Sequence, residues 1–253
     1  MDKTLLKGLQ VLEQVVSASD PVKSAHIANE LGLMKSNAHR VLKTLEHAGY
    51  IVQNPNTKEF TSSLKLWEMG SQIVNRLDLR KCASVPLHDL AHETGEAVHL
   101  SVLDGTEVIY IDKIDSPQPV GAYTRTGGRA PAYCVATGKA LLSELSDEAL
   151  TPILKKLVKH SNVTITDPKV LRADLLETRT RGYSINKGEW RESVWGLAAV
   201  IRDSRNEPIA AVGVSGPDFR LSDPERTAEL GEAVKRYAGT ISRGLGNRGP
   251  FAS

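Results

Sequence analysis

Apolar stripes at helical spacing, separated by turn residues, constrain the fold of the first 61 residues most strongly. The first stripe comprises Leu5, Leu9, Leu12 and Val16. Their spacing of i, i+4, i+7 and i+11 predicts that they form one buried face of a helix. We expect Asp20-Pro21 to end this helix and Ser24 to cap a second, shorter one. Gly32 then provides the residue that a tight turn requires.

A third helix and a hairpin are predicted next. Ser36 is expected to cap the helix and Gly49 to stop it, and the inward residues are Ala38, Val41, Leu42 and Leu45. Two short strands, at residues 50–52 and 60–61, flank a turn-rich tip at residues 54–58. The order of helix, turn, helix and hairpin is typical of a winged helix-turn-helix.

The third helix is also where the excess positive charge lies. The net charge is +2; residues 1–76 hold nine Lys/Arg and seven Asp/Glu, and the remaining residues hold 23 of each. The residues of this helix that are not assigned to its buried side form a polar, basic side, which consists of Lys35, Ser36, Asn37, His39, Arg40, Lys43 and Thr44. A local cationic surface on a near-neutral protein indicates an anionic partner at that surface.

Double-stranded DNA is the partner that such a helix fits, because a helix of this size enters the major groove. We expect Arg40 to contact a guanine edge and Asn37 an adenine edge. Lys35 and Lys43 are expected to contact phosphates, and Lys58 at the hairpin tip to add a backbone or minor-groove contact. The alternative is a small helical bundle whose basic face is only solvated.

Residues 62–94 are predicted to connect the two parts of the chain. A helical stripe long enough to link domains, or to pair with a second copy, comprises Leu64, Trp67, Ser71, Val74 and Leu77. Because proline is tolerated only near the first turn of a helix, Pro86 predicts a second helix from about Val85 to Gly95.

Two hairpins separated by helices predict an α+β architecture for the rest of the chain. The first hairpin joins residues 97–103 and 107–114 across Asp104-Gly105, and the second joins residues 194–202 and 209–215. Helices are predicted at residues 138–145, from Ser146, from Asp167-Pro168 to Gly182, and from Asp223-Pro224 to about Leu245. One antiparallel sheet with helices packed on it accounts for this order.

Several classes of protein are not expected. Cys82 and Cys134 are too few for a disulfide framework or a four-cysteine zinc site, and no apolar run approaches the ~20 residues of a membrane helix. The N-terminus lacks the apolar block of a signal peptide, so we expect a cytoplasmic protein. His88 and His92 have a spacing that can bind metal, but no Glu follows His88, and two surface histidines are the favoured interpretation.

Two segments resemble catalytic motifs incompletely. Residues 136–140 resemble the end of a phosphate loop, but Ala140 stands where Ser or Thr would bind magnesium. Residues 213–217 resemble a nucleophile elbow, but Pro217 replaces its last glycine. No enzyme is expected, because no carboxylate pair and no Ser/His/Asp set stands out; an enzyme that uses a C-terminal pocket is the alternative.

Seven short segments occur together in the order and spacing of one known family. They are residues 7–12, 35–45 with Gly49-Tyr50, 94–96, 136–142, 181–183, 188–189 and 215–217. On these segments the whole chain resembles the IclR family of bacterial transcriptional regulators. The resemblance implies a winged helix-turn-helix DNA-binding domain over residues 1–61, a linker helix over residues 62–78, and a GAF-like effector-binding domain over residues 79–253. It also implies dimers, often paired into tetramers, on palindromic operator DNA; a sensor acting through protein contacts is the alternative.

The resemblance further implies an effector pocket. Transferred by motif, its residues are Tyr133, Ala136, Thr137, Gly138, Asn186, Trp195, Gly196, Gly213 and Ser215. Asn186 and Gly196 replace an Asp and a Cys that other members often have, so we expect no metal and no other cofactor. Gly196 and Gly213 are expected to leave room for a larger ligand.

A small aromatic or cyclic carboxylate, such as a hydroxybenzoate, is the organic acid that these residues favour as effector. Tyr133, Trp190 and Trp195 could stack on a ring. The carboxylate could be held by the backbone amides that open the helix, which are those of Thr137, Gly138 and Lys139. The alternative is that Trp190 and Trp195 are ordinary packing residues.

Overall fold

The computed structural model describes residues 2–75, 78–120 and 124–249. The chain forms two compact units, Met1–Leu77 and Asp78–Ser253. Within the described ranges, no helix combines the length and the apolar character needed to cross a membrane.

The first unit is a set of short helices with a two-stranded wing. Its elements are α1 (Lys3–Ser17), α2 (Ser24–Glu30), α3 (Lys35–His47), β1 (Ile51–Gln53), β2 (Phe60–Ser62) and α4 (Leu64–Asn75). β1 and β2 pair antiparallel with Val52 opposite Thr61, and Val22 forms an isolated bridge to Phe60. The predicted winged helix-turn-helix is confirmed.

The buried side of α1 differs from the predicted one. Val11 and Val15 are buried, whereas Leu5, Leu9 and Val16 are 62%, 49% and 49% exposed. The core that packs against the two valines comprises Val22, Ile27, Ala28, Ala38, Leu42, Ile51 and Phe60. Because α1 has apolar residues on both sides, periodicity alone could not tell which side the rest of the unit covers.

The two predicted serine caps are also wrong. Ser24 and Lys35 are the first residues of α2 and α3, and the residues that precede them make no side-chain capping hydrogen bond. Ser36 therefore lies one residue inside α3. The turns on either side behave as predicted: Gly32 and Gly49 have φ angles of +61° and +79°, the left-handed region that glycine favours.

The second unit contains one six-stranded antiparallel sheet. Its elements are α5 (Asp78–Thr94), β3 (Ala97–Asp104), β4 (Glu107–Ile114), β5 (Arg129–Pro131), a 3-10 turn (Ala132–Cys134), α6 (Ala136–Leu142), α7 (Asp147–Leu154), α8 (Pro168–Arg181), β6 (Ser184–Lys187), β7 (Val194–Arg202), β8 (Pro208–Pro217), α9 (Asp218–Leu221) and α10 (Pro224–Gly244). The strand order is β5-β4-β3-β8-β7-β6. Both predicted hairpins are present, and the α+β class is confirmed.

Helices cover both faces of this sheet. Ala198 and Ala211 share a hydrophobic cluster with residues of α6, α7 and α8. The strand residues that alternate with them, such as Leu197 and Val212, are fully buried. α10 packs against α5, β7 and β8, and α5 packs against β3, β4 and β8. The short edge strands β5 and β6 were not predicted, because three or four residues give too little alternation to detect.

Pro86 lies in the middle of α5, so the predicted helix start near Val85 is wrong. A proline inside a helix costs about 3 kcal/mol. One side of α5 compensates by burying apolar residues at helical spacing, which are Leu79, Ala83, Leu87 and Leu90. Tertiary packing therefore overrides the local preference of proline.

α4 occupies most of the predicted linker segment. Leu64 and Trp67 on this helix are 79% and 71% exposed. Residues 76–77 of the predicted linker helix lie outside the described residues. The predicted stripe at Ser71, Val74 and Leu77 depends on side chains that also lie outside the described part of the structure.

Candidate functional site

The exposed side of α3 carries every polar residue that the sequence assigned to it. Ala38 and Leu42 are fully buried and fix the inward side. The exposed residues are Lys35, Ser36, Asn37, His39, Arg40, Lys43 and Thr44. The hydrophobic stripe thus fixes the rotation of the helix and presents its basic side outward.

Two of these side chains have internal partners. Lys43 Nζ lies 2.7 Å from Glu46 Oε2 and 2.8 Å from Gln53 Oε1, and the Thr44 hydroxyl donates to the Arg40 carbonyl over 3.0 Å. No described carboxylate lies within 4 Å of Lys35 or Arg40. Within the described part of the chain, these two cations therefore have no ion pair to break when they meet an anion.

The wing tip is held by Asn54. Its side chain accepts hydrogen bonds from the backbone of Asn56 over 2.9 Å and Thr57 over 3.3 Å. Lys58 is exposed at the end of this turn with a φ of +60°, and its amide donates to the Asn54 carbonyl over 2.9 Å. The tip thus presents Lys58 on a defined turn.

The second unit contains a cavity of about 440 Å³ on the α6 side of the sheet. Seven of the nine predicted effector residues line it, namely Ala136, Thr137, Asn186, Trp195, Gly196, Gly213 and Ser215. The strand register brings several together, because Asn186 lies opposite Gly196 and Gly196 opposite Ser215. Residues far apart in sequence therefore form one row across the sheet.

The two glycines in this wall allow α6 to approach the sheet. A Cβ atom at Gly213 would lie 3.1 Å from Thr137 Cγ2 and 2.6 Å from the Leu197 carbonyl. At Gly196 it would lie 3.5 Å from Ala136 Cβ. The space that Gly213 leaves is thus taken by protein atoms, and not by added cavity as the sequence suggested.

Tyr133 and Gly138 do not line the cavity. The Tyr133 hydroxyl donates to the Val158 carbonyl over 2.9 Å and lies 3.1 Å from His160 Nε2. The His160 ring in turn packs edge-on against Trp190 at 4.6 Å, so Tyr133 contacts the cavity wall only indirectly. A Cβ atom at Gly138 would lie 2.1 Å from the Ala132 carbonyl oxygen, which shows that Gly138 faces the 3-10 turn.

Lys139 is not available to a ligand. Its amide already donates to the Val135 carbonyl over 2.9 Å, so it is not one of the free amides that the sequence predicted. Its side chain is 1% exposed and lies 2.8 Å from Asp174 Oδ2 and 2.9 Å from Glu189 Oε1. This buried ion-pair cluster holds the segment that follows β6 against α6 and α8.

Asn186 lines the cavity, but its side chain is used internally. Its Nδ2 donates to the Cys134 carbonyl, and its Oδ1 accepts from the amides of Gly188 over 2.7 Å and Glu189 over 3.3 Å. Asn186 therefore fixes the loop between β6 and β7, which carries Trp190.

The sequence missed most of the polar wall of the cavity. Besides Trp190, the further polar and aromatic lining residues are His99, Tyr110, Thr124, Arg125, Arg129 and Arg191. His99 lies on β3 opposite Gly213, with Nε2 at 2.5 Å from Ser215 Oγ and Nδ1 at 3.0 Å from Thr124 Oγ1. A histidine inside a mostly apolar strand was the signal that could have found it.

His99 is uncharged at neutral pH. Burial, together with the nearby positive charge of Lys113, lowers its pKa to about 4. The pair of Ser215 and His99 has the distance of a nucleophile and its base, but the other ring nitrogen faces the Thr124 hydroxyl and not a carboxylate. The arrangement therefore suits hydrogen bonding to a ligand better than proton transfer.

Metal binding finds no support in the described part of the chain. No group of three or more His, Cys, Asp or Glu residues there is arranged to hold an ion. His88 and His92 are both exposed on α5.

Family comparisons agree with this architecture. The model of the IclR helix-turn-helix domain matches residues 4–55, and the model described as the bacterial transcriptional regulator IclR C-terminal region matches residues 71–243. The HTH-type transcriptional regulator XynR of Escherichia coli (strain K12) is 32% identical over 242 residues, which cover 95% of this chain and 96% of that protein.

Solved structures share the whole fold. The crystal structure of the Thermotoga maritima IclR protein superposes with a TM-score of 0.79 and 32% identity, covering 96% of this chain and 98% of that one. An IclR homologue from Microbacterium hydrocarbonoxydans, complexed with 4-hydroxybenzoate, gives a TM-score of 0.84 at 24% identity, covering 96% and 99%. With both units matched by family models and by relatives over nearly the full length, the chain belongs to the IclR family of bacterial transcriptional regulators.

Proposed function

We propose that this protein is a ligand-responsive regulator that binds operator DNA with the exposed side of α3. The observation that carries the proposal is a pair of exposed cations, Lys35 and Arg40, that have no ion-pair partner among the described residues. They lie on a helix whose opposite side is fixed by fully buried Ala38 and Leu42. In this assignment Arg40 and Asn37 contact base edges, Lys35 and Lys43 contact phosphates, and Lys58 contacts the backbone from the wing. Ser36, His39 and Thr44 lie on the same contact surface.

The regulator acts as a dimer on a palindromic site. Residues 1–61 form the DNA-binding domain, residues 62–78 the linker helix and residues 79–253 the effector-binding domain. Exposed apolar side chains on α1 and α4, such as Leu5, Leu64 and Trp67, support pairing of two copies through the first unit. Two copies then place their α3 helices in major grooves about 34 Å apart.

The cavity of the second unit binds a small aromatic or cyclic carboxylate. Tyr110, Trp190 and Trp195 supply aromatic surface, and Arg125 and Arg191 supply positive charge. A volume of about 440 Å³ is within the range of small-molecule sites. The 4-hydroxybenzoate complex of a protein with the same fold makes that acid a suitable first probe.

Effector and DNA must influence each other reciprocally. If the acid changes DNA affinity by some factor, the DNA changes the affinity for the acid by the same factor.

Selection from a random pool of duplexes tests the DNA part without knowledge of the operator. We expect enriched duplexes to contain two inverted half-sites whose centres lie about one helical turn, or a multiple of it, apart. Enrichment without inverted symmetry would reject the palindrome. Failure to enrich any duplex would favour a sensor that acts through protein contacts.

A further inference from the structure

The buried part of the cavity wall is polar but uncharged. Its hydrogen-bonding side chains include those of His99, Thr124, Thr137 and Ser215. His99 is 5% exposed and lies between the hydroxyls of Ser215 and Thr124, at 2.5 Å and 3.0 Å. Because burial lowers the pKa of His99 to about 4, its ring donates one hydrogen bond and accepts one at neutral pH.

Three of these groups have hydrogen-bonding capacity left. Ser215 and Thr124 each carry a hydroxyl that can donate and accept, and His99 uses only one of those functions on each. Thr137 is 4% exposed, and its hydroxyl oxygen is buried without a partner among the described residues. Buried polar groups normally have a partner, so this wall is incomplete without a polar ligand atom or water.

The exposed part of the cavity wall is cationic. Arg125 and Arg191 line it and are exposed, and neither has a described carboxylate within 4 Å. Arg129 also lines the cavity but is engaged, with its guanidinium 2.5 Å from Asp104 and 3.2 Å from Glu107. Arg125 and Arg191 are therefore the cations that an anionic ligand meets.

We propose that the effector is an acid with a second, uncharged hydroxyl group, bound with its carboxylate at Arg125 and Arg191 and its hydroxyl at Ser215 and His99. This inference rests on the proposed role of the cavity as the effector site and specifies what the ligand must carry. It also assigns the carboxylate to the arginines in place of the α6 amides that the sequence suggested.

The cost of desolvating a carboxylate favours this orientation over the reverse one, in which the carboxylate would lie at His99 and the hydroxyl at the arginines. A carboxylate placed beside His99 would lose its water, and the nearby Lys113 ammonium is already paired with Asp115 at 2.7 Å. A hydroxyl there is satisfied by one donor and one acceptor. At the exposed arginines the carboxylate keeps part of its hydration and gains charge-assisted hydrogen bonds. A site built to bind a hydroxyl discriminates strongly against the analogue that lacks it.

Calorimetry with matched pairs of acids tests the inference on the full-length protein. The pairs are 4-hydroxybenzoate with benzoate, mandelate with phenylacetate, and trans-4-hydroxycyclohexanecarboxylate with cyclohexanecarboxylate; terephthalate serves as the dicarboxylate. We expect the hydroxylated member of at least one pair to bind about tenfold or more tightly than its partner, and terephthalate to bind more weakly than that member.

Variants locate the two contacts separately. Ser215→Ala, and independently Thr124→Val, should reduce the hydroxyl preference to less than about threefold while the unsubstituted acid still binds. Arg191→Gln and Arg125→Gln should weaken both members of the pair by a similar factor. Arg172→Gln is the matched control, because Arg172 pairs with Asp147 away from the cavity and should change neither affinity.

The outcomes separate this inference from the proposed function. If acids bind but the hydroxyl makes no difference, or terephthalate binds best, the inference fails and the cavity stays an acid site. A hydroxyl preference that survives both Ser215→Ala and Thr124→Val would also overturn it. If no acid of any pair binds, both the inference and the proposed class of effector are rejected, whereas DNA binding is measured independently.

Discussion

The Nζ atom of Lys139 lies 2.9 Å from Oε1 of Glu189, and both side chains are at least 95% buried. The same ammonium group lies 2.8 Å from Asp174 and donates to the Ile185 carbonyl over 2.6 Å. The second oxygen of Glu189 accepts a hydrogen bond from the amide of Lys187. One buried cation thus connects α6, α8 and the loop that carries Trp190.

Removing this cation should be strongly destabilising. Lys139→Met leaves Glu189 buried with no opposite charge, and we expect a loss of about 3–5 kcal/mol in the free energy of unfolding, measured by urea denaturation. The double variant Lys139→Met, Glu189→Gln should recover part of this loss, because only the partly exposed Asp174 carboxylate then lacks its partner. Equal stability of Lys139→Met and wild type would show that the ion pair contributes nothing.

Gly138 should tolerate no side chain. A Cβ atom there would lie 2.1 Å from the Ala132 carbonyl oxygen, so Gly138→Ala must push α6 away from the 3-10 turn and should lower stability by more than 1 kcal/mol. The control is Gly239→Ala inside α10, where the nearest atom is the flexible end of Arg243 at 3.4 Å. That variant should be neutral or more stable by up to about 1 kcal/mol, since alanine favours helix. Thermal denaturation distinguishes the two, and an unaffected Gly138→Ala contradicts the packing described.

Acid should destabilise the second unit through His99. Its pKa is about 4 in the folded protein against 6.5 for the free side chain, so below pH 6.5 the unfolded chain binds a proton that the native state does not. The stability from this site is complete above pH 6.5 and is lost as the pH falls toward 4, by about 2 kcal/mol between pH 7.5 and pH 5. Urea titrations at both pH values should show this loss in wild type and a smaller one in His99→Gln. Identical pH dependence of the two proteins would contradict the assignment.

Releasing Lys43 should strengthen DNA binding. Glu46 holds the Lys43 ammonium at 2.7 Å, so Glu46→Gln frees a cation and removes a negative charge beside the phosphates. We expect tighter binding to a duplex selected from the random pool. The slope of log affinity against log salt concentration should also become more negative by about 0.9. The exposed Glu148 on α7 provides the control variant Glu148→Gln, which should leave both quantities unchanged. Weaker binding by Glu46→Gln would mean that Lys43 contacts DNA only when Glu46 positions it.

Local patterns predicted the elements better than the contacts between them. The spacing of Ala38 and Leu42 fixed the exposed side of α3, and the Asp104-Gly105 turn placed the first hairpin, because each depends on a few neighbouring residues. The buried side of α1 and the continuity of α5 through Pro86 depend on what packs against them, which no local pattern contains.

In the cavity, too, the residues that lie in recognisable segments were predicted and those placed by distant contacts were not. The family resemblance led to Ser215, Gly196 and Thr137, because their positions transfer from motifs in or near the same segments. His99 and Arg125 have no such motif and reach the cavity only through strand register and the course of a long loop. The partners of Tyr133 and Lys139, which turn both side chains away from the cavity, are likewise distant in sequence.

The most direct test of the central claim is the DNA affinity of Arg40→Ala, measured by fluorescence anisotropy on a selected duplex at several salt concentrations. The control is Lys155→Ala, an exposed lysine of the second unit. We predict that Arg40→Ala loses roughly 1–3 kcal/mol of specific binding and keeps its affinity for the effector, whereas Lys155→Ala matches wild type. Wild-type DNA affinity in Arg40→Ala, at every salt concentration, would contradict the assignment of α3 as the helix that contacts DNA.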